Sequence, residues 1–170
     1  MTTHMRRSVE VYRIRPIILW PTVFASLLLQ TVLPLTFPKA RFLDFPLIVV
    51  IYFSLLRRSK FFGIGLGTVM GLLQDALSHH YLGLFGMVKA LTGYLAASAS
   101  VKFDLEQLLP RFLLAGILVV VHGGFLMGLE HALLESSPPF VPIDFLTGVL
   151  FNVALALILF NILDRFRKPA

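Results

Sequence analysis

The chain has 170 residues, of which 57% are hydrophobic and only 14% are charged, and its mean hydropathy is +0.85. A soluble fold of this length cannot bury so much apolar surface, so the composition predicts an all-α polytopic membrane protein, with residues 1–170 forming a single integral membrane domain. The formal net charge of +6 gathers at the ends of apolar runs, which points to membrane topology rather than nucleic acid, and the lack of cysteine excludes disulfides and thiol chemistry.

A bilayer core is about 30 Å thick, so a crossing helix needs about 20 residues. Six apolar segments are predicted helices: 17–37, 45–56, 61–77, 82–101, 111–134 and 142–163. Ahead of the first lies a basic arm in which Val9, Val11 and Ile14 alternate with Glu10, Arg13 and Arg15. Such an arm suits the anionic inner leaflet, a cytoplasmic partner, or a plain tail that sets topology. No small-residue cleavage site follows the first apolar run, so this helix is expected to be retained. Gln30 lies within it and is expected to make an interhelical hydrogen bond.

The second segment has 12 apolar residues, about 18 Å of helix. Asp44 can cap its start, and Pro46 suits a first turn. Charge decides whether it crosses. With six crossings and a cytoplasmic N-terminus, four groups of basic residues lie inside. They are Arg6, Arg7, Arg13 and Arg15; Arg57, Arg58 and Lys60; Lys102 and Arg111; and Arg165, Arg167 and Lys168. Lys39 and Arg41 lie outside, and Lys89 falls within a helix. Without the second crossing the inside bias weakens, so six spans with both termini cytoplasmic are predicted. A helix this short should thin the bilayer locally or sit against protein.

Segments three and four carry the most distinctive pattern. Gly63, Gly67, Gly71 and Asp75 recur every four residues and make one stripe on a helix. Such a stripe packs helices closely, either within this protein or against another membrane protein. Asp75 lies near the outer end of its helix, and Lys89 lies a short way into the next. Lysine can reach several ångströms along its stem, so an Asp75–Lys89 ion pair is expected. Contact with a partner subunit, separate roles and an ion relay are the alternatives. His79 and His80 in the intervening turn read as solvated loop residues.

His122, Glu130 and His131 occupy the fifth segment, where they are expected to line the bundle interior or its outer rim. No His-Glu-x-x-His spacing exists, so no metal site is predicted. The loop 135–141 is polar and proline-rich without a basic residue, which suits the outer face. Asn152 in the sixth segment is a second candidate for an interhelical hydrogen bond. No nucleophile elbow, phosphate-binding loop, dinucleotide fingerprint or paired catalytic carboxylates appear. The sequence therefore predicts neither an enzyme nor a bound cofactor.

The stretch 63–95 also resembles the matching part of the MreD family of bacterial rod-shape proteins. The match rests on the glycine-rich helix ending GLLQDALS (71–78), a short turn, Leu82-Gly83, and LTGYL (91–95). Residues 41–56, RFLDFPLIVVIYFSLL, are similar to that family's short second helix, with Asp44 and Pro46 in altered order. Gly67, Gly71, Asp75, Gly83, Gly93 and Tyr94 stand at the motif positions. With Gly63 and Lys89 they form the candidate helix-packing or partner surface.

The resemblance implies a non-catalytic scaffold in the bacterial cell inner membrane that binds an MreC-like bitopic protein. It further implies work alongside the actin-like MreB, a SEDS-type glycan polymerase and its transpeptidase, in peptidoglycan synthesis by the elongasome that governs cell shape. The fold it implies resembles the S component of energy-coupling-factor transporters. A vitamin-binding S component is accordingly the alternative function. Against it, the first helix has Ala25 but Leu29 four residues on, where a small residue would serve docking.

Overall fold

The computed structural model describes residues 16–78, 81–103, 108–134 and 139–166. The basic arm, His79, His80 and most of the polar loop before the sixth helix lie outside the described residues. Within them the chain forms α1 (Pro16–Thr36), a 3-10 turn (Pro38–Phe42), α2 (Phe45–Arg57), α3 (Lys60–Ser78), α4 (Leu84–Lys102), α5 (Leu108–Leu133) and α6 (Pro142–Asp164). All but α2 are long and apolar enough to cross a membrane. The predicted segments and these helices lie close together, because long apolar runs favour helix in lipid and polar or charged residues flank most of them.

α2 is the centre of the bundle. Every residue from Phe45 to Leu56 is buried, and the helix touches each of the other five. A helix that is apolar all round can be wrapped by protein or by lipid, and here the other five helices enclose it. Of the two expectations for this short segment, thinning the bilayer or packing against protein, the structure shows the second. Its 13 residues extend only about 20 Å. The long helices surround it with large apolar side chains turned outward, among them Phe24, Leu28, Leu113, Ile117 and Leu150. Lipid tails are as apolar as leucine, so these outer side chains need no burial.

α2 starts inside the bundle, and its entrance is irregular backbone. Such backbone is tolerated at depth only where protein satisfies its polar groups. Asp44 caps the helix by accepting from the Leu47 N–H at 2.9 Å, and Pro46 occupies the first turn. Two amide side chains then grip the entrance from either side. Gln30 of α1 donates to the Leu43 carbonyl and accepts from the Phe45 N–H, both at 3.0 Å. Asn152 of α6 accepts from the Asp44 N–H and donates to the Phe42 carbonyl, both at 2.8 Å. These are the interhelical roles expected for Gln30 and Asn152.

The end of α1, the start of α2, the end of α3, the start of α4 and the first half of α6 meet at one end of the bundle. The opposite end carries Arg57, Arg58, Lys60, Lys102, Arg111 and Arg165. There Arg111 makes a bidentate pair with Asp164, with Nη1 to Oδ1 at 3.2 Å and Nη2 to Oδ2 closer still. Tyr52 of α2 donates to the same carboxylate at 2.9 Å. The sequence marks Arg111 as a topological charge only. The structure adds that it ties α5 to α6 beneath the central helix.

Candidate functional site

Lys89 is fully buried on α4, and its Nζ reaches Asp44 Oδ2 at 2.5 Å. The ammonium also lies 4.7 Å from the centre of the Phe85 ring, so an aromatic face supports the charge. Asp44 thus does two things. One oxygen caps α2, and the other neutralises the lysine.

The expected Asp75–Lys89 pair is not formed. The Asp75 carboxylate instead accepts from three backbone N–H groups at the start of α4: Gly83 at 2.9 Å, Phe85 at 3.2 Å and Gly86 at 3.3 Å. The first N–H groups of a helix have no partner within it, and a carboxylate from the preceding helix fills that need. Asp75 therefore clamps the α3–α4 turn. Gly83 sits in that turn at φ +101°, a conformation open to glycine and strained for other residues.

The glycine stripe faces α4. A Cβ added at Gly63 would collide with the Gly93 carbonyl, one at Gly67 with the Lys89 carbonyl, and one at Gly71 with the Phe85 carbonyl. Gly93 meets Gly63 reciprocally. These glycines let two backbones touch, and that contact places Lys89 where Asp44 can reach it. Tyr94 lies on the outer side of the same helix, with Lys60 Nζ 5.6 Å from its ring centre.

Beside the Asp44–Lys89 pair lies a cavity of about 490 Å³. Gln30, Asp44, Gln74, His122 and Asn152 contribute polar atoms to its wall, and Phe42, Phe85 and Phe145 contribute aromatic faces. His122 is held nearly parallel to Phe85, with ring centres 6.4 Å apart and a 15° interplanar angle. Exposed Arg41 and Asp144 mark its rim. A second cavity of about 520 Å³, nearer the α5–α6 connection, takes in Glu130 and His131. Among the described residues no group of histidines and carboxylates has a metal-binding arrangement.

Sequence reasoning singles out the glycines, Asp75 and Lys89 but misses two members of this cluster. Asp44 already has a role there as a helix cap, and that role hides its second one. Gln74 sits beside Asp75 in a helix whose stripe draws attention elsewhere. The available signal is that Gln74 follows Gly71 by three residues and Met70 by four, which puts it on the buried flank of the stripe.

Comparison with known protein families matches residues 12–166 to the family described as rod shape-determining protein MreD. No curated protein and no solved structure matches the chain. The match takes in the α2 entrance, the glycine stripe, the Asp75 clamp and Lys89, in a bundle with five helices fit to cross a membrane. The chain belongs to the MreD family of shape-determining membrane proteins, a family not known for catalysis.

Proposed function

We propose that the protein is a non-catalytic inner-membrane scaffold of the cell-wall elongation complex, holding an MreC-like bitopic partner. Family membership over residues 12–166 is the observation that carries this reading. The bundle geometry agrees with it. The strongest polar and small-residue features are spent inside the chain: the stripe on α4, Asp75 on the turn, and Asp44 on Lys89. A partner therefore meets the outward apolar faces of the long helices and the short rims, rather than the stripe. The actin-like MreB and a SEDS-type glycan polymerase with its transpeptidase belong to the same assembly in this reading.

The orientation follows from charge. The end bearing Arg57, Arg58, Lys60, Lys102, Arg111 and Arg165 faces the cytoplasm, with both termini, and the cavity end faces outward. α2 then serves as the sixth crossing, completed at its deep end by the 3-10 turn.

Depleting the protein from a rod-shaped host should give round cells, and the tagged protein should co-purify with the MreC homologue from native membranes. Rod shape maintained through depletion, with no such partner recovered, would refute the reading. The cavity of about 490 Å³ favours one alternative, a substrate-binding component of a vitamin transporter. That alternative requires depletion to abolish uptake of a vitamin while cell shape stays normal.

A further inference from the structure

The cavity beside Asp44 contains polar capacity that the protein leaves unused. Gln74 and His122 both line it, and they are only 4% and 5% exposed. Gln74 Oε1 and His122 Nε2 nonetheless have no hydrogen-bond partner among the described residues. Buried polar atoms are normally paired, and each exception calls for a ligand, a water or a functional reason. Three neighbouring groups are already engaged: Gln30 and Asn152 grip the α2 entrance, and Asp44 holds Leu47 and Lys89. The two unpaired atoms come from different helices, α3 and α5, yet they face one space.

We propose that this cavity binds a neutral, hydroxyl-bearing ligand of sugar or polyol type through Gln74 and His122. The charge balance selects a neutral group. Lys89 already cancels Asp44, so an ion placed beside them would be buried without a counter-charge. The unpaired atoms select a hydroxyl. Gln74 Oε1 only accepts, whereas His122 Nε2 donates or accepts according to tautomer. A hydroxyl does both, so it satisfies the pair in either state. The walls select a compact ring or chain with C–H faces, because Phe85 and Phe145 offer apolar surface beside the polar atoms. The volume of about 490 Å³ is ample for a hexose-sized head. Arg41 and Asp144 at the rim leave the mouth close to neutral as well. The same chemistry enters as a free solute or as the head of a membrane glycolipid.

The test uses the full chain in phosphatidylcholine nanodiscs. One arm titrates methyl β-glucoside in solution, and the other incorporates monoglucosyl diacylglycerol in the disc. Binding is read by native mass spectrometry and by the shift in thermal unfolding. Saturable binding is expected in at least one arm, and the arm that saturates identifies the source. Gln74→Leu and His122→Phe should each weaken binding about tenfold, the effect of one lost buried hydrogen bond. Both variants remove an unpaired polar atom, so the ligand-free protein should remain as stable as wild type or become more so. That readout separates lost binding from lost folding. Should His122→Phe fail to fold, Gln74→Met repeats the test at the other atom. Absence of saturation in both arms overturns the proposal. So does binding unchanged by the variants, or a cavity that holds only ordered water in an experimental structure under saturating probe.

Discussion

Lys89 has no exposed surface, and its ammonium is held by the Oδ2 atom of Asp44. Breaking one side of such a pair leaves a buried charge, at a cost of about 3–5 kcal/mol, whereas replacing both sides can be close to neutral. Lys89→Met and Asp44→Asn should each lower thermal stability in detergent, and the double variant should recover part of the loss. The coupling should be about 1–3 kcal/mol, and strict additivity would remove the pair from the account. Asp75→Ala should behave differently, because it strips three backbone N–H groups of their acceptor and leaves Lys89 paired. Its cost should be about 1–2 kcal/mol, that of a lost helix cap, and a second change at Lys89 should add to it. Gly83→Ala in the same turn should cost about 1–2 kcal/mol from its left-handed backbone alone.

Glycine has two meanings within α3, and the element-level test depends on the contrast. Gly67 touches the α4 backbone, while a Cβ at Gly65 would meet nothing within 4 Å. Gly67→Ala should therefore push α3 from α4 and destabilise the isolated protein with no partner present. Gly65→Ala should be neutral, or stabilising by about 0.5–1 kcal/mol through helix propensity. Thermal unfolding of the two purified variants checks this. A stable Gly67→Ala protein that loses only its partner would place the stripe on the outside. The elements themselves were legible in the sequence, because lipid demands long apolar runs and punishes charge within them. The position of α2 was legible in part: a helix too short to span had either to thin the bilayer or to pack against protein, and its length alone did not choose. The partner of Lys89 was not. Positions 44 and 89 share no periodicity, and the depth at which α2 begins, together with the close α3–α4 contact, brings them together. Asp75 looked like the natural counter-ion because it sits across a short turn, but the N–H groups of that turn claim its carboxylate.

At the scale of the whole molecule, the two ends of the bundle differ in charge, and that difference makes orientation testable. Phe140, exposed before α6, should label with a membrane-impermeant thiol reagent from outside when replaced by cysteine. Ser59→Cys, between α2 and α3, should label only after permeabilisation. The reverse pattern would invert the topology and undo the charge argument. The grip of Asn152 on the α2 entrance has a consequence for biosynthesis. The bond from the Asp44 N–H spans 108 residues of sequence. At about 5–20 residues per second, roughly 5–20 s separate synthesis of its two partners on the ribosome. Through that interval the second helix has no sixth helix to complete its entrance. It cannot take its final place as it emerges, and must wait beside the first helix or within the insertion machinery. A chain stopped after α5 should therefore keep its long helices in the membrane while residues near Asp44 stay open to proteases, and closure should follow only when α6 is present.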